Sequence, residues 1–291
     1  MSHFTVLVVG DNPEKQLAPY SEDIEVDDYV EDIVTEEEKQ TFMDYYIKEK
    51  EVLSPSLSFD DAYDLKGDDW NAMRWQKGED GKWYSHSTYN PDSKWDWYSL
   101  GGRWSGYLKL KDGAKGVVGE PGTFDNKAER GWVDQTQKKN IDFEFMRSRA
   151  GENAAKTYDA FYAIVGDRAV PSWDEIRKKY PDRNINFVRK EYAENPVVID
   201  VEKDETFKNY FIFNDMTEFI ESRADYIQNA KNSAFSTYAV LKNGKWYEKG
   251  EMGWWGIVHN ERDDDDWNKE FSKLLDSLPD DTLLSVFDCH I

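Results

Sequence analysis

The two ends of the chain constrain the fold most. "HFTVLVVG", starting at His3, is a short apolar run rich in β-branched residues, closed by Gly10-Asp11-Asn12-Pro13. "DTLLSVFDCHI", starting at Asp281, is a second such run. Runs of this length and makeup, bounded by turn residues, read as buried strands. The first and last strands are expected to be neighbours in one sheet and so to close the domain.

Between them, helical spacing and hairpin signals recur. Thr35 with Glu38 three residues on is a capping box. Phe42, Met43, Tyr46 and Ile47 follow it at helical spacing, which predicts a helix over 36–52 that stops at "SPS". Phe59 to Asp80 reads as loop with short elements, and Asp80-Gly81 as a hairpin turn. Asp112-Gly113 closes a further strand, and 113–140 reads as a long surface loop. A helix from Ile141 through Tyr158 is expected to feed a second strand at "YAIVGD". That strand echoes "TVLVVGDNP", which is read as two similar strand ends rather than a duplication. Ser172 caps a short helix that Pro181 stops. "DMTEFIESRADYIQNAKNSA" reads as one helix, Asn243-Gly244 as a hairpin turn, and "GWWGIVHNE" as a strand. "DDDDWNKEFSKLLDSL" is an amphipathic helix with acids at its positive dipole end. Helix followed by strand, with hairpins between, predicts an α+β fold: a mostly antiparallel sheet with helices packed on one face. Aromatic residues are 15% of the chain, so the core is expected to be built largely from rings. Residues 1–56, an N-terminal strand and an acidic helix, are assigned to the main α+β domain. Residues 57–140 are assigned to a Trp/Gly-rich hairpin and loop lobe, an insertion, and 141–291 to the main domain.

Charge narrows the function. The formal net charge is -22. Met1 to Asp64 holds 18 acidic and 4 basic residues, and Glu261 to Asp281 holds 9 and 3. Such a field repels phosphate backbones and anionic lipid, so neither direct nucleic-acid binding nor membrane binding is expected. A basic protein surface would be attracted. Cys289 is the single cysteine, which excludes an intramolecular disulfide and fits a reducing cytoplasm. The first residues lack the basic region and cleavage site of a secretory leader, and no run reaches the roughly 18 apolar residues of a membrane span.

The candidate binding residues are Trp95, Trp97, Arg103 and Trp104 in "KWDWYSLGGRWSGYLKL", Trp254 and Trp255 in "GWWG", and the acidic run Asp263, Asp264, Asp265 and Asp266. The rings are either core on one face of a strand, with Trp95, Trp97 and Ser99 aligned, or a platform beside Arg103 for a partner. Gly101-Gly102 lets the backbone take positive φ or approach a partner closely. Asp263–Asp266 is a helix-start charge cluster, with docking on a basic surface as its functional alternative. His3, His259, His290, Cys289 and Asp288 could form a polar or catalytic site. Strand alternation, however, sends Cys289 and His290 to opposite faces, and the spacing fits no zinc pattern. "GVVGEPG" lacks the Lys-Ser/Thr of a phosphate-binding loop. No cofactor, metal or catalytic residue is assigned.

"MSHFTVLVVGDNPEKQLAPY", "KWDWYSLGGRWSGYLKL", "FYAIVGD", "GKWYEKGEMGWWGIVHNE" and "LPDDTLLSVFDCHI" together resemble a family of bacteriophage and prophage proteins of this size. The resemblance implies a phage-encoded accessory protein made in the host cytoplasm. The size, viral origin and absent catalytic motif suit an anti-defence protein, of the kind that blocks the Gabija nuclease complex. The expected partner is a host defence protein complex, with self-association into a homo-oligomer left open. Two alternatives stand beside this reading: a small-molecule or nucleotide-processing enzyme using His and carboxylate groups, and a phage structural or morphogenesis protein.

Overall fold

The computed structural model describes residues 2–50, 53–67, 74–121, 128–208, 216–252 and 257–291. The elements follow in chain order. The first stretch holds β1 (His3–Val9), α1 (Pro13–Leu17), β2 (Glu25–Ile33), α2 (Glu36–Asp44), α3 (Phe59–Lys66), β3 (Arg74–Lys77) and β4 (Trp83–Tyr89). Then come β5 (Trp97–Gly102), β6 (Leu108–Lys109), β7 (Glu120–Pro121), β8 (Trp132–Val133), β9 (Gln135–Gln137) and α4 (Phe143–Val165). The remainder is α5 (Trp173–Lys179), α6 (Ile185–Ala193), α7 (Pro196–Glu202), α8 (Arg223–Ser233), β10 (Ala239–Lys242), β11 (Lys245–Glu248), β12 (Glu251–Met252), β13 (Val258–His259), α9 (Asp264–Ser277) and β14 (Leu283–His290). The chain divides into two units, one of residues 1–17 with 97–291, the other Ala18–Asp96.

The larger unit is organised by its terminal strands, as their sequences predict. β1 and β14 pair antiparallel from His3↔His290 to Val9↔Leu284. They lie at the centre of a sheet in the order β11-β10-β1-β14-β5-β7, with β9 also on β14. Only β1–β10 and β5–β7 run parallel; the other pairs in this sheet are antiparallel. Alternation puts Leu7, Val9, Val240, Leu284 and Val286 into one buried cluster with Trp267, Phe271 and Leu275. Those last three recur every four residues on α9 and so form one stripe of the helix. Each such side chain contributes about 1.5–3 kcal/mol by leaving water. The fold is α+β, mostly antiparallel, with helices on this face and rings through its core.

A second core lies along the C-terminal half of α4, where Phe161 and Val165 join Val198 and Val201 of α7 with Phe207 and Phe219. Phe161 and Phe219 stack at 4.0 Å. This core explains why "YAIVGD" is not a strand. Phe161, Tyr162, Ile164 and Val165 are the last turns of α4, which ends at Gly166 with φ +61°. A short apolar run does not by itself distinguish a strand from a buried helix end. Likewise "DMTEFIESRADYIQNAKNSA" breaks: Met216–Ile220 is a tight helical turn, and Ser222 caps a new helix, α8.

The smaller unit replaces the lobe expected over 57–140. It begins at Ala18 and ends at Asp96, so it takes in β2 and α2 and leaves 97–140 to the larger unit. The described parts of 113–140 are in fact pinned there by β7, β8 and β9. Within the smaller unit, β3 and β4 form the hairpin that Asp80-Gly81 predicts, with β2 on the far side of β4. Rings of Phe42, Tyr46, Phe59, Tyr63, Trp75 and Trp83 build its core. Trp75 and Trp83 lie on this hairpin, whereas Trp97 and Trp104 of the segment expected to carry the Trp-rich hairpin belong to the larger unit. Residues 59–66, read as loop, are helical because Ser58 caps Asp61 and Phe59 and Tyr63 pack inward together. The capping box at Thr35 and Glu38 is present, although the helix widens to i→i+5 bonding over Tyr45–Glu49. Among the described residues, no helix is long and apolar enough to cross a membrane.

Candidate functional site

The Gly101-Gly102 pair is the hinge of the site region. Both residues take positive φ, +72° and +50°. A Cβ on Gly101 would sit 2.5 Å from Asp134 Oδ2, and one on Gly102 would sit 2.5 Å from Asp288 Oδ2. The two glycines therefore exist to admit two buried carboxylates. Asp134 is fully buried. It accepts hydrogen bonds from the backbone N–H of Gly106 (2.6 Å), Tyr107 (3.1 Å) and Gly119 (2.8 Å), and from the Ser105 hydroxyl (3.2 Å). One side chain thus fixes the whole Ser105–Tyr107 turn. Asp288, also buried, accepts from the Arg103 N–H at 2.8 Å and from His3 Nδ1 at 2.8 Å.

His3 and His290 do come together. They are register partners on β1 and β14, with ring centroids 4.8 Å apart, and the Trp97 ring lies 6.1 Å from His3. Asp288, on the same face, orients the His3 ring through Nδ1. Ser99 and Thr5 face Asp288 across the strands, but their hydroxyls are used locally: Ser99 donates to the Leu100 carbonyl (3.4 Å) and Thr5 accepts from the Tyr238 N–H (3.1 Å). Cys289 points to the opposite side, fully buried, and burial followed by the charge of Asp288 holds its thiol well above the usual range. His259 lies away on β13, paired to β12. Among the described residues, no group of three or more His, Cys, Asp or Glu is arranged to hold a metal ion.

The four aromatic-segment candidates separate. Trp95 is buried within the smaller unit, where it bridges to Ser21, so it is core and not a binding ring. Strand β5 begins only at Trp97, which breaks the expected alignment of Trp95 with Trp97. Trp97 itself is 48% exposed on its sheet face. Arg103 and Trp104 follow the glycine pair and line an open cleft in the larger unit with Tyr107, Trp132 and Arg149. Trp254 and Trp255 lie outside the described residues.

No family model, curated protein or solved structure matches this chain.

The acidic run is used locally, as its place at a helix start predicts. Asp263 accepts from the N–H groups of Asp265 (2.9 Å) and Asp266 (3.4 Å) and so caps α9. Lys249 pairs with Asp264, and with Glu261 at 2.7 Å; Lys269 lies 3.6 Å from Asp266. A stronger concentration of charge lies elsewhere. Ala18–Asp96 holds 22 acidic and 8 basic residues, a net of -14. Strand β2, "EVDDYVEDI", carries five of those acids, and among the described residues its only partner is β4. It is an edge strand. Val30 and Ile33 on it are 53% and 47% exposed. Sequence reasoning located the acidic segment but not the edge, which depends on where β3 and β4 pair.

Proposed function

We propose that the chain is a phage-encoded inhibitor, made in the host cytoplasm, that binds a host defence protein complex and covers its nucleic-acid-binding surface. The observation that carries this reading is the open edge of β2, where Glu25, Asp27, Asp28, Glu31 and Asp32 alternate with exposed Val30 and Ile33. An unpaired edge offers backbone groups to a partner. Carboxylates along it attract Lys- and Arg-rich surfaces and speed association. The exposed aliphatics supply area to bury once contact is made. A nucleic-acid-binding face carries the complementary charge, and the resemblance of the sequence to phage proteins supports a defence complex as the kind of target.

The test is capture of defence nuclease complexes from host lysate on the immobilised chain, with the Gabija complex first. Bound protein should elute as salt rises from about 0.05 M to 0.5 M, where the Debye length falls severalfold. It should not bind the Asp27→Lys, Glu31→Lys double variant. Capture that ignores both salt and the double substitution would rule out docking through this edge.

A further inference from the structure

The cleft beside Arg103 has no part in that reading. It encloses about 700 Å³, within the range of small-ligand sites. Three features give it a chemical character that the rest of this acidic chain lacks.

First, it is cationic. Arg103 and Arg149 line it, with Glu129 as its one carboxylate. Arg149 is held loosely. Its guanidinium lies 5.2 Å over the Trp132 ring and reaches Glu129 through exposed contacts of 3.3 and 3.5 Å. Exposed pairs of this kind are worth little and exchange readily for a better anion.

Second, it is aromatic. Trp104 is half-buried on the cleft wall. Among the described residues its ring stacks on no other ring, and its indole N–H has no hydrogen-bond acceptor. This stands out in a protein whose buried rings otherwise contact one another. Asn153 on α4 also lines the cleft and offers an amide without a partner among the described residues.

Third, it is preorganised. Asp134 holds the Ser105 hydroxyl and the Gly106 and Tyr107 backbone N–H groups of one wall, and the Tyr107 hydroxyl donates to the Ser236 carbonyl. A ligand would not have to order this wall on binding.

We propose that this cleft binds a nucleoside phosphate. Trp104 stacks on the base, Asn153 meets its edge, and Arg149 takes the phosphate in place of Glu129, with Arg103 on the same cleft wall adding positive charge. Planar guanidinium groups match phosphate geometry, and stacking on an aromatic side chain is the common way to hold a base. A mononucleotide fits where a polymer does not, because each added phosphate meets the field of a chain with net charge -22.

The test is titration calorimetry on the full chain with AMP, ADP, GMP and UMP. Adenosine, inorganic phosphate and a 12-nucleotide DNA strand are the comparison ligands. At least one nucleotide should bind saturably, about 10-fold or more tighter than adenosine or inorganic phosphate, since the charged hydrogen bonds and the stacked base act together. Arg149→Ala, Arg103→Ala and Trp104→Leu should each weaken it by about 10-fold, with melting temperatures unchanged, while Trp104→Phe retains most of the affinity. The proposal is overturned if no nucleotide binds at millimolar concentration, or if adenosine binds equally. It is also overturned if the three substitutions leave affinity unchanged, or if the DNA strand binds more tightly than every mononucleotide.

Discussion

Replacing Asp134 by Ala tests the framework that holds the candidate residues. The substitution strands three part-buried backbone N–H groups, those of Gly106, Tyr107 and Gly119, and frees one hydroxyl. Each orphaned buried donor costs about 1–3 kcal/mol. The three sum to about 3–9 kcal/mol, and the loss should lie in the lower half, about 3–6 kcal/mol, because the donors are only part-buried and water can reach them. That is a large share of a domain stability of about 5–15 kcal/mol. Gly101→Ala attacks the same contact from the other side. Its positive φ of +72° costs about 1–2 kcal/mol for a residue with a Cβ. The new methyl also pushes Asp134 Oδ2 off Gly119 and Ser105, adding about 1–3 kcal/mol. Once Asp134 is Ala, no carboxyl remains to be displaced and only the φ cost is left. Urea unfolding followed by tryptophan fluorescence on the four proteins of this cycle should therefore give a coupling of about 1–3 kcal/mol. Additivity within about 0.5 kcal/mol, the behaviour of independent sites, would refute the claim that the glycine serves the carboxylate.

Two further predictions follow from single groups. Burial raises the Cys289 thiol, and its folded value lies above its unfolded one, so the stability it lends is complete below the free-thiol value near pH ~8.5 and is lost as pH rises beyond that. Wild-type stability should decline above that pH more steeply than that of Cys289→Ala, and the thiol should react with a disulfide reagent only after denaturation; prompt reaction in the native state would contradict its burial. Asp263→Ala removes the cap of α9 and should cost about 1 kcal/mol in urea unfolding, whereas Asp265→Ala, one turn position on, should cost less than half of that.

Much of the fold is legible in the sequence wherever a local signal and the tertiary packing agree. The terminal strands, the Thr35 and Ser172 caps, the Asn243-Gly244 hairpin and the α9 stripe are of that kind. The hairpin turn, for example, has Asn243 and Gly244 both at positive φ, as the dipeptide demands. The misreadings share one cause. "YAIV" is apolar enough for a strand, and only the ring cluster along α4 makes it a helix end. The insertion is misplaced because its boundary falls inside "WDW", between two residues that look alike in sequence.

The site was half legible. Gly-Gly signals a close approach, and His3 with His290 follows from pairing the terminal strands. Asp134 carries no signal at all: it is one Asp among many, between a two-residue and a three-residue strand that no periodicity marks. Trp132 and Arg149 reach the cleft only because β8 and α4 converge there. Trp97 and Trp95 are two residues apart and have opposite fates, one exposed and one buried, because each belongs to a different unit.

The most direct measurement of the functional account is competition. A captured defence complex is loaded with fluorescently labelled nucleic acid, and anisotropy is followed as the chain is added. The account predicts that the label is released stoichiometrically, that release weakens as salt rises, and that the Asp27→Lys, Glu31→Lys protein fails to release it. A stable ternary complex, with the nucleic acid still bound while the chain is bound, would contradict it.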